Sequence, residues 1–424
     1  MNNNEKLTIC YNAWMIYSKN DDYDKVVGEV AKRGFNCIRV DDGAGLYRDE
    51  NGSLRKDILI SAPFGKYTEY TAYLVIVDNE KINILDRFLR LCVAAKIHNV
   101  KLILSSWFFL HTNWFCQEKD IEHLFELSNE EKIKYFADET IWILDVLKKH
   151  NLLDVVAFVE LFNEFDNIPW HRNDIKLTSE EATELRIIHE REIDRLKKVY
   201  PEILVAFDTK DAVPMEEIVP RNIDVFNFHS YYAWDVYNAF EKSLCFGVVT
   251  LDEPEIPEET KFFLKKDIIS VKSVANEMNG TVKTGPDWPR RMALYASIDW
   301  TKEKELNKLL EDSLKEKMEN YKNIFHNDIQ KMLELHKKIV PNSKIVMGEG
   351  LTYCCSPKLT FERDSKCFWD LIKEQVMFLK EKGIWGTVLV TTHAPGRCSA
   401  WSDCIELYSE ANKLFLNSEE NKQM

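Results

Sequence analysis

The stretch VVAFVELFNE, residues 155–164, decides how this chain reads. Its first five residues are apolar with no polar alternation, which is how a parallel strand buried on both faces looks in sequence. It then closes on the polar pair Asn163–Glu164. Seven further stretches share that character: LTICYNAWMIY (7–17), CIRVDDG (37–43), VKLILSSW (100–107), ILVAFDT (203–209), DVFNFHSYY (224–232), KIVMGEG (344–350) and WGTVLVTTH (385–393). Between them run segments with apolar residues every three or four positions, over 21–35, 81–99, 129–149, 180–200 and 368–383. Eight strands alternating with helices predict an α/β fold, a (β/α)8 barrel, with a doubly wound sheet as the competing layout. Only a short segment near 214–219 follows the fifth strand. Two insertions, about 44–80 and about 233–300, and a charged helical stretch over 301–340 absorb the remaining length. The whole chain, 1–424, is therefore expected to form a single barrel domain, with the charged stretch as a solvated face of the sixth barrel helix.

Composition narrows the partners. Seventy acidic residues against 56 basic ones give a formal charge of −14, which repels phosphate backbones and argues against nucleic acid. No apolar run of about 18 residues is present, so no membrane span is expected. The start, MNNNEKLTIC, lacks a basic region followed by an apolar core, so a cytoplasmic location is expected. The ten cysteines show no CxxC pair and no metal-ligand spacing, which fits reduced thiols and predicts neither metal nor cofactor. No signal specifies an oligomeric state. The aromatic content is high, with 11 Trp, 16 Tyr and 23 Phe, and many of the tryptophans stand in loop-like positions. Aromatic faces stack on sugar rings or on bases, and the charge disfavours bases, so a carbohydrate is the expected partner.

In such a barrel, chemistry collects at the carboxyl ends of the strands. Glu164 ends the fourth barrel strand and Glu349 ends the seventh. Paired carboxylates suit the cleavage of an acetal, one protonating the leaving oxygen while the other attacks or stabilises the anomeric carbon. Burial and mutual repulsion would separate their pKa values and hence their roles. The dipeptide Asn-Glu occurs five times, so it carries nothing alone; only Asn163–Glu164 closes an apolar strand. A strand-end Glu is as often half of a structural ion pair, and Arg39 could simply pair with Asp41 or Asp42. His229 has the alternative of a satisfied core histidine. Lys210 lies between Asp208 and Asp211, whose charges oppose the lowered pKa of a Schiff-base amine.

These residues carry a resemblance. Phe162-Asn163-Glu164, Gly348-Glu349-Gly350, Ile38-Arg39-Val40 and His229-Ser230-Tyr231 together resemble the clan A glycoside hydrolases, especially the cellulase-like family 5, over nearly the whole chain. The resemblance implies a TIM barrel and a retaining β-glycosidase, with Glu164 as general acid/base and Glu349 as nucleophile. It implies that Asn163 holds the sugar 2-hydroxyl and that Arg39 keeps Glu349 ionised by lowering its pKa. His229 and Tyr231 would orient the carboxylates. Trp107, Trp114 and, from the eighth strand and its loop, His393 and Trp401 are expected to contact sugar, with Trp170, Trp234 and Trp288 as further platforms. Members commonly end the eighth strand in Trp, where this chain has His393. That difference supports the alternative of a cellulase-like sugar-binding protein with little turnover.

Overall fold

A computed structural model describes residues 5–19, 21–70, 79–168, 177–231, 261–278, 287–351, 358–390, 401 and 404–417. Ten strands are present among them: β1 (Leu7–Tyr11), β2 (Cys37–Asp41), β3 (Ile58–Ile60), β4 (Glu80–Ile82), β5 (Lys101–Ser105), β6 (Val156–Glu160), β7 (Val205–Thr209), β8 (Val225–Ser230), β9 (Lys344–Gly350) and β10 (Gly386–Val388). Eight of these close into a parallel barrel in the order β1-β10-β9-β8-β7-β6-β5-β2. The seam between β1 and β10 pairs Leu7 with Gly386 and Ile9 with Val388. This is the (β/α)8 TIM barrel that the strand pattern predicts.

Helices α1 (Tyr23–Lys32), α2 (Ile84–Ile97), α3 (Glu118–Glu126), α4 (Asn129–Lys149) and α5 (Ser179–Val199) wrap the first half. Serine and threonine fix where the longest of them begin. Ser128 and Thr178 each accept a hydrogen bond from an amide three residues on, while Glu131 and Glu181 reach back to the capping residue. These reciprocal caps satisfy amides that a helix start leaves unpaired. After β7 the chain makes only a 3-10 turn at Glu216–Ile218, matching the weak pattern there.

The second half holds α6 (Val271–Ala275), α7 (Asp287–Ser297), α8 (Glu303–Ile339), α9 (Phe361–Asp364), α10 (Lys366–Glu381) and α11 (Ile405–Leu416). The 37-residue α8 buries one stripe along its length, from Leu306, Leu310 and Leu314 through Tyr321 and Phe325 to Ile329, Met332 and His336. Its charged residues face outward, as expected for a barrel helix.

The two insertions meet. The first forms the antiparallel hairpin β3–β4 and a 3-10 helix over Gly65–Tyr70. In the second, α6 and α7 lie against it, with Phe64 stacked on Trp288 at 6.2 Å and Lys66 at 3.5 Å from Glu277. No helix among the described residues is long and apolar enough to cross a membrane.

Candidate active site

Arg39 organises the interior. It is fully buried in β2, and its guanidinium lies over the Trp107 ring at 4.6 Å. From there it reaches four groups. Nη1 donates to Glu349 Oε1 at 2.6 Å; Nη2 donates to Glu160 Oε2 at 2.7 Å and to Asn163 Oδ1 at 2.8 Å, and faces Asp208 Oδ2 at 3.0 Å. A planar fork that never loses its charge suits such a hub. Asp41 and Asp42, its possible partners from sequence, turn elsewhere. Asp41 accepts from the Gly43 amide and the Thr112 hydroxyl, and Asp42 from the Ala44 amide.

Glu164 stands four residues beyond the end of β6, in a left-handed corner with φ of 50° and ψ of 55°. A non-glycine residue there is strained by about 1 kcal/mol or more, and such strain collects at functional sites. The corner is pinned from three sides. Its amide donates to Asp208 Oδ2 at 2.7 Å, Asn167 Nδ2 donates to Glu164 Oε2 at 2.9 Å, and His229 Nδ1 lies 3.1 Å from Oε1.

Glu349 arrives from the opposite wall. At the β8–β9 irregularity His229 pairs with Glu349 in register. The flanking glycines permit this approach: a Cβ at Gly348 would meet Asn227 Nδ2 at 2.4 Å, and one at Gly350 (φ +140°) would meet the Ser230 carbonyl oxygen at 2.2 Å. Tyr231 OH donates to Glu349 Oε2 at 2.5 Å. One carboxylate oxygen of Glu164, one of Glu349 and a ring nitrogen of His229 lie within 4.8 Å of one another.

The charges do not balance locally. Arg39 and His229 face four carboxylates, Glu160, Glu164, Asp208 and Glu349. Burial works against Glu164, yet the hydrogen bond and charge of His229 outweigh it and hold this carboxyl below its usual range. Asp208 is likewise held low against its burial by His229 and Arg39. For Glu349 burial wins over His229 and Arg39 and raises the carboxyl. Arg39 pulls Glu349 down as expected, but burial outweighs it. Burial also raises Glu160. Burial would make His229 less basic, but Asp208 and Glu349 overcome it and raise this imidazole well above its ordinary value. The Glu164–His229–Glu349 trio is compact enough for an ion, and both His229 nitrogens face carboxylates.

A family model described as sugar-binding cellulase-like matches residues 12–404. The chain belongs to this cellulase-like family. Among solved structures, a Parabacteroides distasonis protein described as a candidate glycoside hydrolase is similar at 16% identity and a TM-score of 0.63, over 98% of this chain and 94% of that one. The endo-beta-1,4-mannanase of Thermotoga petrophila is similar at 13% identity and a TM-score of 0.49, over 99% and 79% of the two chains. At 16% identity the first of these likenesses is one of fold. No functionally curated protein matches the chain by sequence.

Within this cellulase-like barrel, the expected residues Arg39, Asn163, Glu164, His229, Tyr231 and Glu349 come together. The aromatic expectations fare differently. Trp107, 1% exposed, backs Arg39 and packs edge-on against Tyr11 and Trp14. Trp114, 3% exposed, packs edge-on against Phe64, His111 and Trp288. Neither offers a face to a sugar; both support the wall behind the site. Trp401 is corrected outright. It is 4% exposed, stacked on Phe35 at 5.9 Å and under Arg33 at 4.4 Å, beside the residues that lead into β2. Its ring is covered by protein and not open to a sugar. Of the loop tryptophans, Trp288 is partly exposed. His393, Trp170 and Trp234 lie outside the described residues.

Sequence reasoning missed Glu160 and did not place Asp208 in the site. Both had a signal. Glu160 is an acid in the middle of an apolar strand, and Asp208 sits at a strand's carboxyl end; each needs a buried cation, and Arg39 is the one at hand.

Proposed function

We propose that the protein is a retaining glycoside hydrolase, cleaving a β-glycosidic bond in an oligosaccharide or glycoside by double displacement. The observation that carries this reading is the approach of a Glu164 and a Glu349 carboxylate oxygen to within 4.8 Å. Retaining enzymes set their two carboxyl groups about 5–5.5 Å apart, whereas inverting ones leave about 6.5–9.5 Å for a water. In this reading a Glu349 oxygen attacks the anomeric carbon while Glu164 gives a proton to the departing oxygen. Water then attacks the glycosyl ester, giving its proton to Glu164 and releasing Glu349. Arg39 and Tyr231, each bonded to a different Glu349 oxygen, orient the nucleophile. Asn163, whose Oδ1 is fixed by Arg39, presents its amide N–H groups to the sugar 2-hydroxyl.

The test is hydrolysis of nitrophenyl β-glycosides. Wild type is expected to turn over, and Glu349→Ala to lose activity by on the order of 10³-fold or more. Azide should partly restore that variant, because a small anion fills the place of the missing nucleophile. A second reading, a sugar-binding protein with little turnover, is favoured by the raised Glu349 carboxyl, a poor resting state for a nucleophile. Sugar binding without hydrolysis across a panel of glycosides would establish it and sink the first.

A further inference from the structure

Asp208 does more than fill a place in the wall. Its two oxygens reach three elements at once. Oδ2 accepts from the Glu164 amide at 2.7 Å and faces Arg39 Nη2 at 3.0 Å, while Oδ1 lies 3.1 Å from His229 Nε2. On the other side of the imidazole, His229 Nδ1 lies 3.1 Å from Glu164 Oε1. Glu349 Oε1 stands 3.7 Å from Nε2, and the Tyr231 ring packs edge-on at 6.0 Å. Three acids, from the β6 corner, β7 and β9, thus surround one ring. Asp208 in turn faces Arg39 from β2 and shares a field with Glu160 from β6.

We propose that Asp208 is a positioning residue that keeps His229 doubly protonated between Asp208 and Glu164. The proton destined for the leaving group then rests, in the free site, on His229 Nδ1 and not on Glu164. A neutral imidazole has one donor nitrogen and one lone pair, so it would set that lone pair against one of the two carboxylates. The doubly protonated ring donates to Glu164 through Nδ1 and forms an ion pair with Asp208 at Nε2. The directions already given for His229, Glu164 and Asp208 agree with this arrangement. The same carboxylate fixes the strained Glu164 corner through its amide, so proton and acid are located by one side chain.

The catalytic meaning rests on the glycosidase reading; the protonation state does not. The Nδ1 proton crosses to the Glu164 carboxylate, the carboxyl so formed passes it to the leaving oxygen, and His229 becomes neutral while keeping the Nε2 proton that faces Asp208. The sugar is then esterified on Glu349. When water attacks the ester, its proton passes to Glu164 and back to Nδ1, which restores the starting state.

The experiment follows the ring nitrogens of His229 by NMR in protein labelled with 15N-histidine, using His229→Gln to assign the signals. Wild type is expected to show an imidazolium at pH 7 and above. In Asp208→Asn the imidazolium should give way about 1–3 pH units lower, the size of effect an adjacent opposite charge has. Asp208→Glu should move the transition back toward wild type, and the alkaline limb of the hydrolysis profile should follow the same order. A neutral His229 in wild type at pH 7, or an unchanged transition in Asp208→Asn, would overturn the proposal. If Asp208→Asn does not fold, judged by thermal melting, the wild-type titration alone decides. If wild type hydrolyses no glycoside, the glycosidase reading fails while the nitrogen shifts still decide the role of Asp208.

Discussion

Two groups of acids lie side by side in this barrel and meet different partners. Glu160, Glu164, Asp208 and Glu349 share Arg39 and His229. Asp41, at the end of the strand that carries Arg39, and Asp42 just beyond it accept from neutral donors alone among the described bonds: the Gly43 and Ala44 amides and the Thr112 hydroxyl. Burial is nearly complete in both groups apart from Glu164, which is of intermediate burial. Yet Asp208 and Glu164 are held low by the cations, whereas burial pushes Asp41 up to about 7 and Asp42, which also feels Asp41, up to about 8. A cation partner opposes burial but does not always win: His229 holds Glu164 and Asp208 low, whereas burial still raises Glu160 and Glu349 beside Arg39.

Removing the shared cation should break the contrast most severely. Arg39→Met is expected to destabilise the fold by about 3–5 kcal/mol at neutral pH, since it strands buried carboxylates. That loss should shrink in acid, as Glu160, Asp208 and Glu349 take up protons; urea unfolding at pH 5 and pH 7 measures it. A loss that does not change with pH would mean that Arg39 contributes packing and not charge.

The neutral-donor pair should answer in the opposite sense. The folded-state value of Asp42, about 8, lies above its ordinary 3.8. Its contribution to stability is therefore complete below about pH 4 and is lost as pH rises through about 8. Asp42→Asn, which copies the protonated form, is expected to be the more stable protein at pH 8 by roughly 1–3 kcal/mol, with the advantage gone at acid pH. Equal urea midpoints at pH 8 would contradict it. The smallest effect is expected from Thr112→Val, which deletes one neutral donor to Asp41. A loss of about 1–2 kcal/mol is expected, and it should diminish at pH 5, where Asp41 is protonated and needs the bond less. Thermal melting at the two pH values resolves it.

The same contrast explains what could be read in the sequence. The strands were legible because a parallel barrel buries both faces of each, and VVAFVELFNE or KIVMGEG leaves no polar alternation to misread. Glu349 was legible because it lies at the carboxyl end of such a strand, and Glu164 because it follows one by four residues. Glu160 was not, because which side of β6 faces the axis depends on barrel closure and register, which pairs it with Ala206 and Ser105. Trp107 and Trp114 were misplaced because a tryptophan near a mouth and a tryptophan under it have the same sequence neighbours. Only the fold tells that Arg39 needs a ring behind it.

The left-handed corner at Glu164 has a consequence for how this protein can change. Glycine adopts that backbone without strain, so Glu164→Gly would relax the corner while deleting the acid. Selection for heat resistance alone would therefore drift toward glycine here, and only a role for the carboxylate keeps the strained residue in place.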